Sequence, residues 1–249
     1  MSGHSKWASI KHKKAATDAK RGAAFTKVTK EITAAAKAGG GNPETNVRLR
    51  TAISRAKDIN MPNTNIDNAV KKGTGELPGV TYEEVVFDAY ASGGVALLIE
   101  GLTDNRNRTT AEVRNILSKK NGSMAGAGST AWMFDAKGLI SVAKDKTTED
   151  ELMEIVLDAG GEDISEEGDV FEITCEPTSF EGVKEALKAK GISTQTAELT
   201  KIPKSTVKVQ GNDAKQVLSL MEALEEHEDV QAVHANFDIP DDEIEQAAE

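Results

Sequence analysis

One cysteine, Cys175, stands in a chain of 249 residues, so no internal disulfide framework can form and a reducing compartment suits the composition. No CxxC pair exists, and His4, His12, His227 and His234 show no HExxH spacing, so no metal site is written into the sequence. No apolar run approaches the ~20 residues needed to cross a bilayer. The basic N-terminus is not followed by an apolar stretch, so it does not read as a secretory signal, and it lacks the Arg- and Ser-rich character of a transit peptide. Catalytic constellations are missing as well. Cys175 falls in an apolar strand pattern with Val170, Phe171 and Ile173 and reads as a small core residue. Acids such as Glu83, Glu84 and Glu100 are plentiful, but abundance alone defines no acid–base pair. The glycine-rich GSMAGAGST, Gly122 to Thr130, contains no GxxxxGK[ST] and precedes no basic helix start. It reads as a hinge beside a domain junction. No enzyme, metal or cofactor is expected, and the expected location is the cytoplasm.

What is present is charge, unevenly spread. The first 37 residues carry nine Lys or Arg and two acids, a net of +7, in a chain whose net charge is −11. Up to Pro78 there are fifteen basic and six acidic residues, and from Gly79 onward fifteen basic and thirty-five acidic. Such asymmetry separates two jobs, one of them contact with a polyanion. The acidic remainder does not forbid this: at physiological salt the Debye length is about 8 Å, so distant charges are screened while contact charges act in full. A protruding arm is favoured over a broad footprint. The acidic part suits a cationic partner such as a ribosomal protein.

Apolar spacing predicts a helix over 23–37 (Phe25, Val28, Ile32, Ala36), a second from Pro43 to Asp58, and a third after Pro62, capped by Asn63 or Thr64 and stopped at Gly73. Residues 71–79 read as a linker, giving a basic helical unit over 1–79. From Tyr82 strands and helices mix. Strands over 82–91 and 94–102 flank Ser92-Gly93, a helix covers 106–120, and a short strand covers 131–134. Residues 138–202 then read β-α-β-β-α-β, the ferredoxin-like order. A strand, helix and strand over 206–237 supply the missing half of the earlier unit. The fold class is therefore α+β: a basic helical bundle, then two ferredoxin-like units. One of these spans 80–135 with 204–240, and the other, 136–203, is inserted in it. The acidic end, 241–249, reads as a tail.

Two groups of residues suit phosphate. Lys11, Lys13, Lys14, Lys20, Arg21, Lys27 and Lys30 can each neutralise one, without regard to sequence. Trp7, beside Lys6, Lys11 and His12, either stacks on an unpaired base or packs on the first helices. Arg106 and Arg108, at the start of a helix, either grip an anion with the free helix amides or pair with Asp104 or Glu112. Asp104 or Asn105 suits the cap of that helix.

The segments GHSKWASIKHKK (3–14), DAKRGAAFTKVTKEI (18–32), NVRLRTAISRAK (46–57), MPNTNIDNAVKKGTGE (61–76), LTDNRNRTTAEVR (102–114) and GSTAWMF (128–134) closely resemble the YebC family. That family includes bacterial probable transcriptional regulators and a mitochondrial translational activator. The resemblance implies a helical domain followed by two α+β domains, one inserted in the other, and a non-enzymatic factor that binds nucleic acid. The family label implies DNA and transcription. Other members imply the ribosome, with contacts to ribosomal or transfer RNA and relief of stalling on proline-rich nascent chains. The carried-over residues are Ser5, Lys6, Trp7, Lys11, Lys13, Lys14, Lys20, Arg21, Arg106 and Arg108. The stretch SMAGAG departs from the asparagine- and leucine-containing one the family tends to carry. A monomer with no membrane contact is expected.

Overall fold

The computed structural model describes residues 18–240 and 243, with side chains from residue 22 onward. Its first three helices are α1 (Asp18–Gly39), α2 (Val47–Asp58) and α3 (Asn63–Thr74). Ile32, Ala35 and Ala36 of α1, Leu49, Ala52 and Ala56 of α2, and Ile66 and Ala69 of α3 recur at helical spacing and close into one core with Met61. The start of α2 lies at Val47 rather than Pro43, because Asn46 is its cap. The Asn46 side chain accepts from the Leu49 N–H at 3.1 Å and donates to the Ala35 and Gly40 carbonyls, both at 2.8 Å. One buried amide thereby ends one helix and begins the next. Nor does Gly73 stop α3: the left-handed cap is Gly75, with φ of 85°. Gly73 is small for a different reason. A Cβ there would lie 2.5 Å from the Thr33 carbonyl oxygen of α1, so its absence permits the close α1–α3 crossing.

The rest of the chain continues as β1 (Glu83–Tyr90), β2 (Ala96–Thr103), α4 (Arg106–Lys119), β3 (Ser123–Met124), β4 (Phe134–Ala143), α5 (Glu149–Asp158) and β5 (Gly161–Glu167). Next come β6 (Val170–Cys175), α6 (Phe180–Ala189), β7 (Thr194–Pro203), β8 (Val207–Lys208), α7 (Gly211–Glu225), β9 (Val230–Ala235) and β10 (Phe237–Asp238). One sheet has the order β3-β1-β2-β9, and a second β5-β6-β4-β7, the ferredoxin-like arrangement. A parallel pair, β8 with β10, stands apart. Val85, Phe87, Leu97 and Ile99 of the first sheet share a core with Val113 and Leu117 of α4 and with Leu218 and Met221 of α7, so both helices cover one face. The second sheet has its own core, in which Cys175 is fully buried. Burial raises the Cys175 thiol pKa, which keeps it inert.

Residues 131–133 form a single 3-10 turn instead of a strand. The strand that follows runs unbroken from Phe134 to Ala143 and pairs with β7 from Pro203 back to Thr194. The chain thus enters and leaves the second sheet on two adjacent antiparallel strands. Glu100 of β2 ties the sheets together: Lys201 of β7 donates to it at 2.6 Å, and its other oxygen lies 3.1 Å from Nε2 of His234 on β9.

Candidate nucleic-acid interface

Lys27 and Lys30 lie three apart on α1, one helical turn, and both reach the turn between α7 and β9. Lys27 Nζ donates to the Glu225 carbonyl at 2.5 Å, and Lys30 Nζ donates to the Glu228 carbonyl at 3.1 Å and to Asp229 Oδ1 at 2.5 Å. Lys30 is buried and Asp229 is 2% exposed. The second Asp229 oxygen accepts from the Thr109 hydroxyl at 2.6 Å, from Arg108 Nη2 at 2.7 Å and from the Thr103 hydroxyl at 3.3 Å. Burial alone would favour the neutral acid. The hydrogen bonds from Lys30, Thr109 and Arg108 overcome it and hold the carboxyl well below the usual range. Asp229 is therefore an anionic hub that joins the helical unit to the first sheet.

A cleft of about 750 Å³ opens beside this hub, lined by Lys30, Tyr82, Arg108, Glu112, His227 and Asp229 among others. Ligand atoms of Glu112, His227 and Asp229 lie within 4.8 Å of one another. Their hydrogen bonds suit a metal poorly. His227 Nδ1 accepts from the Asp229 backbone N–H at 3.1 Å, which leaves Nε2 to carry the proton facing Glu112 at 3.0 Å. Asp229 already serves two cations, and a third would meet their repulsion.

The candidate residues divide accordingly. Ser5, Lys6, Trp7, Lys11, Lys13 and Lys14 lie outside the described residues. Lys20 and Arg21 fall within α1, and their side chains are likewise outside the described part. Lys27 and Lys30 are directed at the rest of the protein. At the start of α4, Asn105 is the cap, accepting from the Arg108 N–H at 3.1 Å. Arg108 pairs with Asp104 at 2.8 Å and with Asp229. Arg106 is exposed and forms no ion pair among the described residues.

The basic residues of α2 and α3 contribute to the net charge, but no local motif singles them out as contacts. Lys37, Arg50, Arg55, Lys57, Lys71 and Lys72 are all exposed, and none forms an ion pair among the described residues. Arg48 alone of the α2 cations is neutralised, by Glu31 at 2.8 Å and by Glu84. Lys37, Arg55, Lys57, Lys71 and Lys72 sit in the last turns of their helices, where they complement the helix dipole by about 0.3–1 kcal/mol each without using up their charge. Lys37 and Lys72 line one hollow of about 290 Å³. The signal for these residues was the +9 balance of the whole unit to Pro78, of which the arm is only part.

Among the described residues no helix is long and apolar enough to cross a membrane. Residues 5–76 match the TACO1/YebC protein N-terminal domain, and residues 82–237 match the TACO1/YebC second and third domain. A "probable transcriptional regulatory protein" of Desulfatibacillum aliphaticivorans is 55% identical over 244 residues, 98% of this chain and 99% of that one. One of the same name from Dictyoglomus turgidum is 54% identical over 97% of this chain and 98% of its own. The crystal structure of a conserved hypothetical protein from Aquifex aeolicus has 46% sequence identity and a TM-score of 0.83, covering 93% of this chain and 96% of its own. A basic helical unit, two antiparallel sheets and these matches over nearly the whole length lead to one assignment: the chain belongs to the TACO1/YebC family.

Proposed function

We propose that this protein is a non-enzymatic, nucleic-acid-binding regulator of gene expression that works in the cytoplasm. Its Lys-rich N-terminal arm and the outer surface of its helical unit contact phosphates. The observation that carries the reading is the company the free basic residues keep. On the helical unit Lys37, Arg50, Arg55, Lys57, Lys71 and Lys72 are exposed without ion-pair partners among the described residues, in a stretch whose balance is positive. The basic residues of the acidic part, some paired like Lys137, Lys144 and Lys201 and some not like Arg114 and Lys188, instead stand among thirty-five acids. The relatives' name, probable transcriptional regulatory protein, supports regulation and points to DNA.

The position of the free cations favours RNA as the polyanion. A helix that reads the major groove presents the residues of its N-terminal half to base edges. Here five of the six exposed cations lie in last turns, which suits sequence-independent phosphate contact. Ribosomal or transfer RNA, with the acidic units docked elsewhere on a ribosome, is the second reading.

Affinity for a duplex and for a single-stranded RNA, measured by fluorescence anisotropy, tests the phosphate contacts. With about five lysines engaged, binding falls roughly 10²- to 10³-fold between about 50 and 200 mM salt. Deleting residues 2–21 reduces that dependence. A flat response in the intact chain overturns the proposal. Crosslinking in growing cells separates the readings: attachment to ribosomal or transfer RNA supports the second, attachment at discrete promoters the first.

A further inference from the structure

Trp132 leaves 66% of its surface in solvent, although it is the kind of side chain whose burial contributes most to a core. The segment that carries it is not slack. After β3 the chain folds back over Asp88, a residue of β1 that is 4% exposed. Asp88 Oδ1 accepts from the Thr130 N–H at 2.8 Å, the Thr130 hydroxyl at 2.7 Å and the Ala131 N–H at 3.0 Å, and Oδ2 accepts from the Gly128 N–H at 2.9 Å. The Asp88 carbonyl also takes the Ala125 N–H at 2.8 Å. The supposed hinge is thus pinned to the sheet. Thr130 on one side of the tryptophan is fully buried, and Phe134 on the other is 6% exposed. Between them the Lys204 N–H holds the Met133 carbonyl at 2.9 Å.

The indole has one polar atom, and it is already satisfied: Nε1 donates to the Ser129 carbonyl at 2.9 Å. What faces water is therefore a bare aromatic surface, fixed in advance, so little conformational freedom remains to be lost on binding. Its surroundings discriminate between occupants. An aromatic anchor for a protein partner belongs in a dry apolar patch. Here the neighbours include Ser129, the exposed Asp135 and Lys204, whose ammonium sits 3.1 Å from Asp135 at a half-exposed position and can turn to a phosphate. An exposed flat ring, with the Lys204 backbone bonded to the residue that follows it, matches base stacking with a cation at hand for the strand's backbone.

We propose that Trp132 is a stacking platform for one unpaired base of a single-stranded nucleic acid, with Lys204 meeting the adjoining phosphate. This site lies far along the chain from the basic arm and rests on the nucleic-acid reading above. It adds a contact that distinguishes single strands from duplexes.

The test uses the full chain with Trp7→Phe, so that Trp132 is the sole tryptophan. Single-stranded RNA and DNA of about 20 nucleotides and a matching duplex are titrated in turn, following both emission and anisotropy. Single strands quench Trp132 and the duplex does not. Trp132→Ala weakens single-strand binding by about 5- to 150-fold with duplex affinity unchanged, and Trp132→Phe recovers part of the loss. A larger effect with RNA than with DNA identifies the natural strand, and equal effects leave base stacking as the shared chemistry. Because the ring is exposed, the variants keep the parent's thermal transition, which the same samples report. Salt-sensitive binding of the strands with unaltered emission and unaltered affinity in Trp132→Ala overturns the platform while leaving the nucleic-acid reading intact. Absence of binding to any of the three probes overturns both.

Discussion

Replacing Asp229 by Asn removes one charge from a point where two cations and two hydroxyls converge. Lys30 bears the consequence, because its side chain is only 10% exposed and it forms no other ion pair among the described residues. Stranding a buried charge in this way costs about 3–5 kcal/mol. Removing Lys30 instead, as Lys30→Met, leaves Asp229 bonded to Arg108, Thr103 and Thr109 and costs about 1–3 kcal/mol. Arg108 is 43% exposed and relaxes into water, so Arg108→Gln costs least of the three. These costs predict an order, Asp229→Asn above Lys30→Met above Arg108→Gln. Since each 1.4 kcal/mol is tenfold, Asp229→Asn raises the undocked population of the helical unit by roughly two to three and a half powers of ten. Hydrogen exchange of α1 and proteolysis across the 76–82 connection between α3 and β1 at neutral pH both read this population. A cost below about 1 kcal/mol for Asp229→Asn, or a Lys30→Met as damaging as it, refutes the hub.

Two further perturbations test the packing. Gly73→Ala gains helix propensity worth about 1 kcal/mol but drives a methyl toward the Thr33 carbonyl, so urea unfolding shows a net loss of about 1–3 kcal/mol; a stabilised variant would mean that α1 and α3 separate freely. Glu100 titrates at about 2 in the folded protein because of the hydrogen bond from His234 and that from Lys201, with burial opposing both, against an ordinary value of 4.5. A depressed carboxyl stabilises above its unfolded pKa, so this contribution is complete above about pH 4.5 and is lost as the pH falls toward 2. Allowing for the partial exposure of Glu100, it amounts to about 2 kcal/mol. Glu100→Gln removes that slope from an acid-unfolding series. An unchanged slope places the acid sensitivity elsewhere.

Local chemistry made much of this architecture readable. The β-α-β-β-α-β order emerged because each of its elements has its own period and its own turn residues, such as Gly168 at the β5–β6 hairpin. Where the reading slipped, the deciding contact was distant in sequence. Pro43 looks like a helix start, yet Asn46 governs, because its amide reaches back to Ala35 of another helix. Gly73 looks like a stop, yet its role is set by Thr33. Asp229 stands in the acidic run EEHED, which reads as a solvated turn; nothing near it announces that Lys30, Thr109 and Arg108 converge there. Trp132 sits among apolar residues, Ala131, Met133 and Phe134, that predict a short strand. Only Asp88, forty-two residues from Thr130, turns that segment into a rigid turn with its ring outside. Among the candidate contacts, Lys27 and Lys30 show the same lesson: charge type was legible, direction was not.

The Lys30–Asp229 pair joins residues 199 positions apart. At a synthesis rate of about 5–20 residues per second, a nascent chain carries Lys30 for roughly 10–40 s before Asp229 exists. During that interval Lys27 and Lys30 have no acceptors at the α7–β9 turn, so the emerging unit displays two cations more than the finished protein. The helical unit must hold its fold on its own core of Ile32, Leu49, Ile66 and their neighbours while it waits. Completion of the α7–β9 turn then gives both ammonium groups their acceptors, so the charge that the basic unit displays depends on how much of the chain has been made.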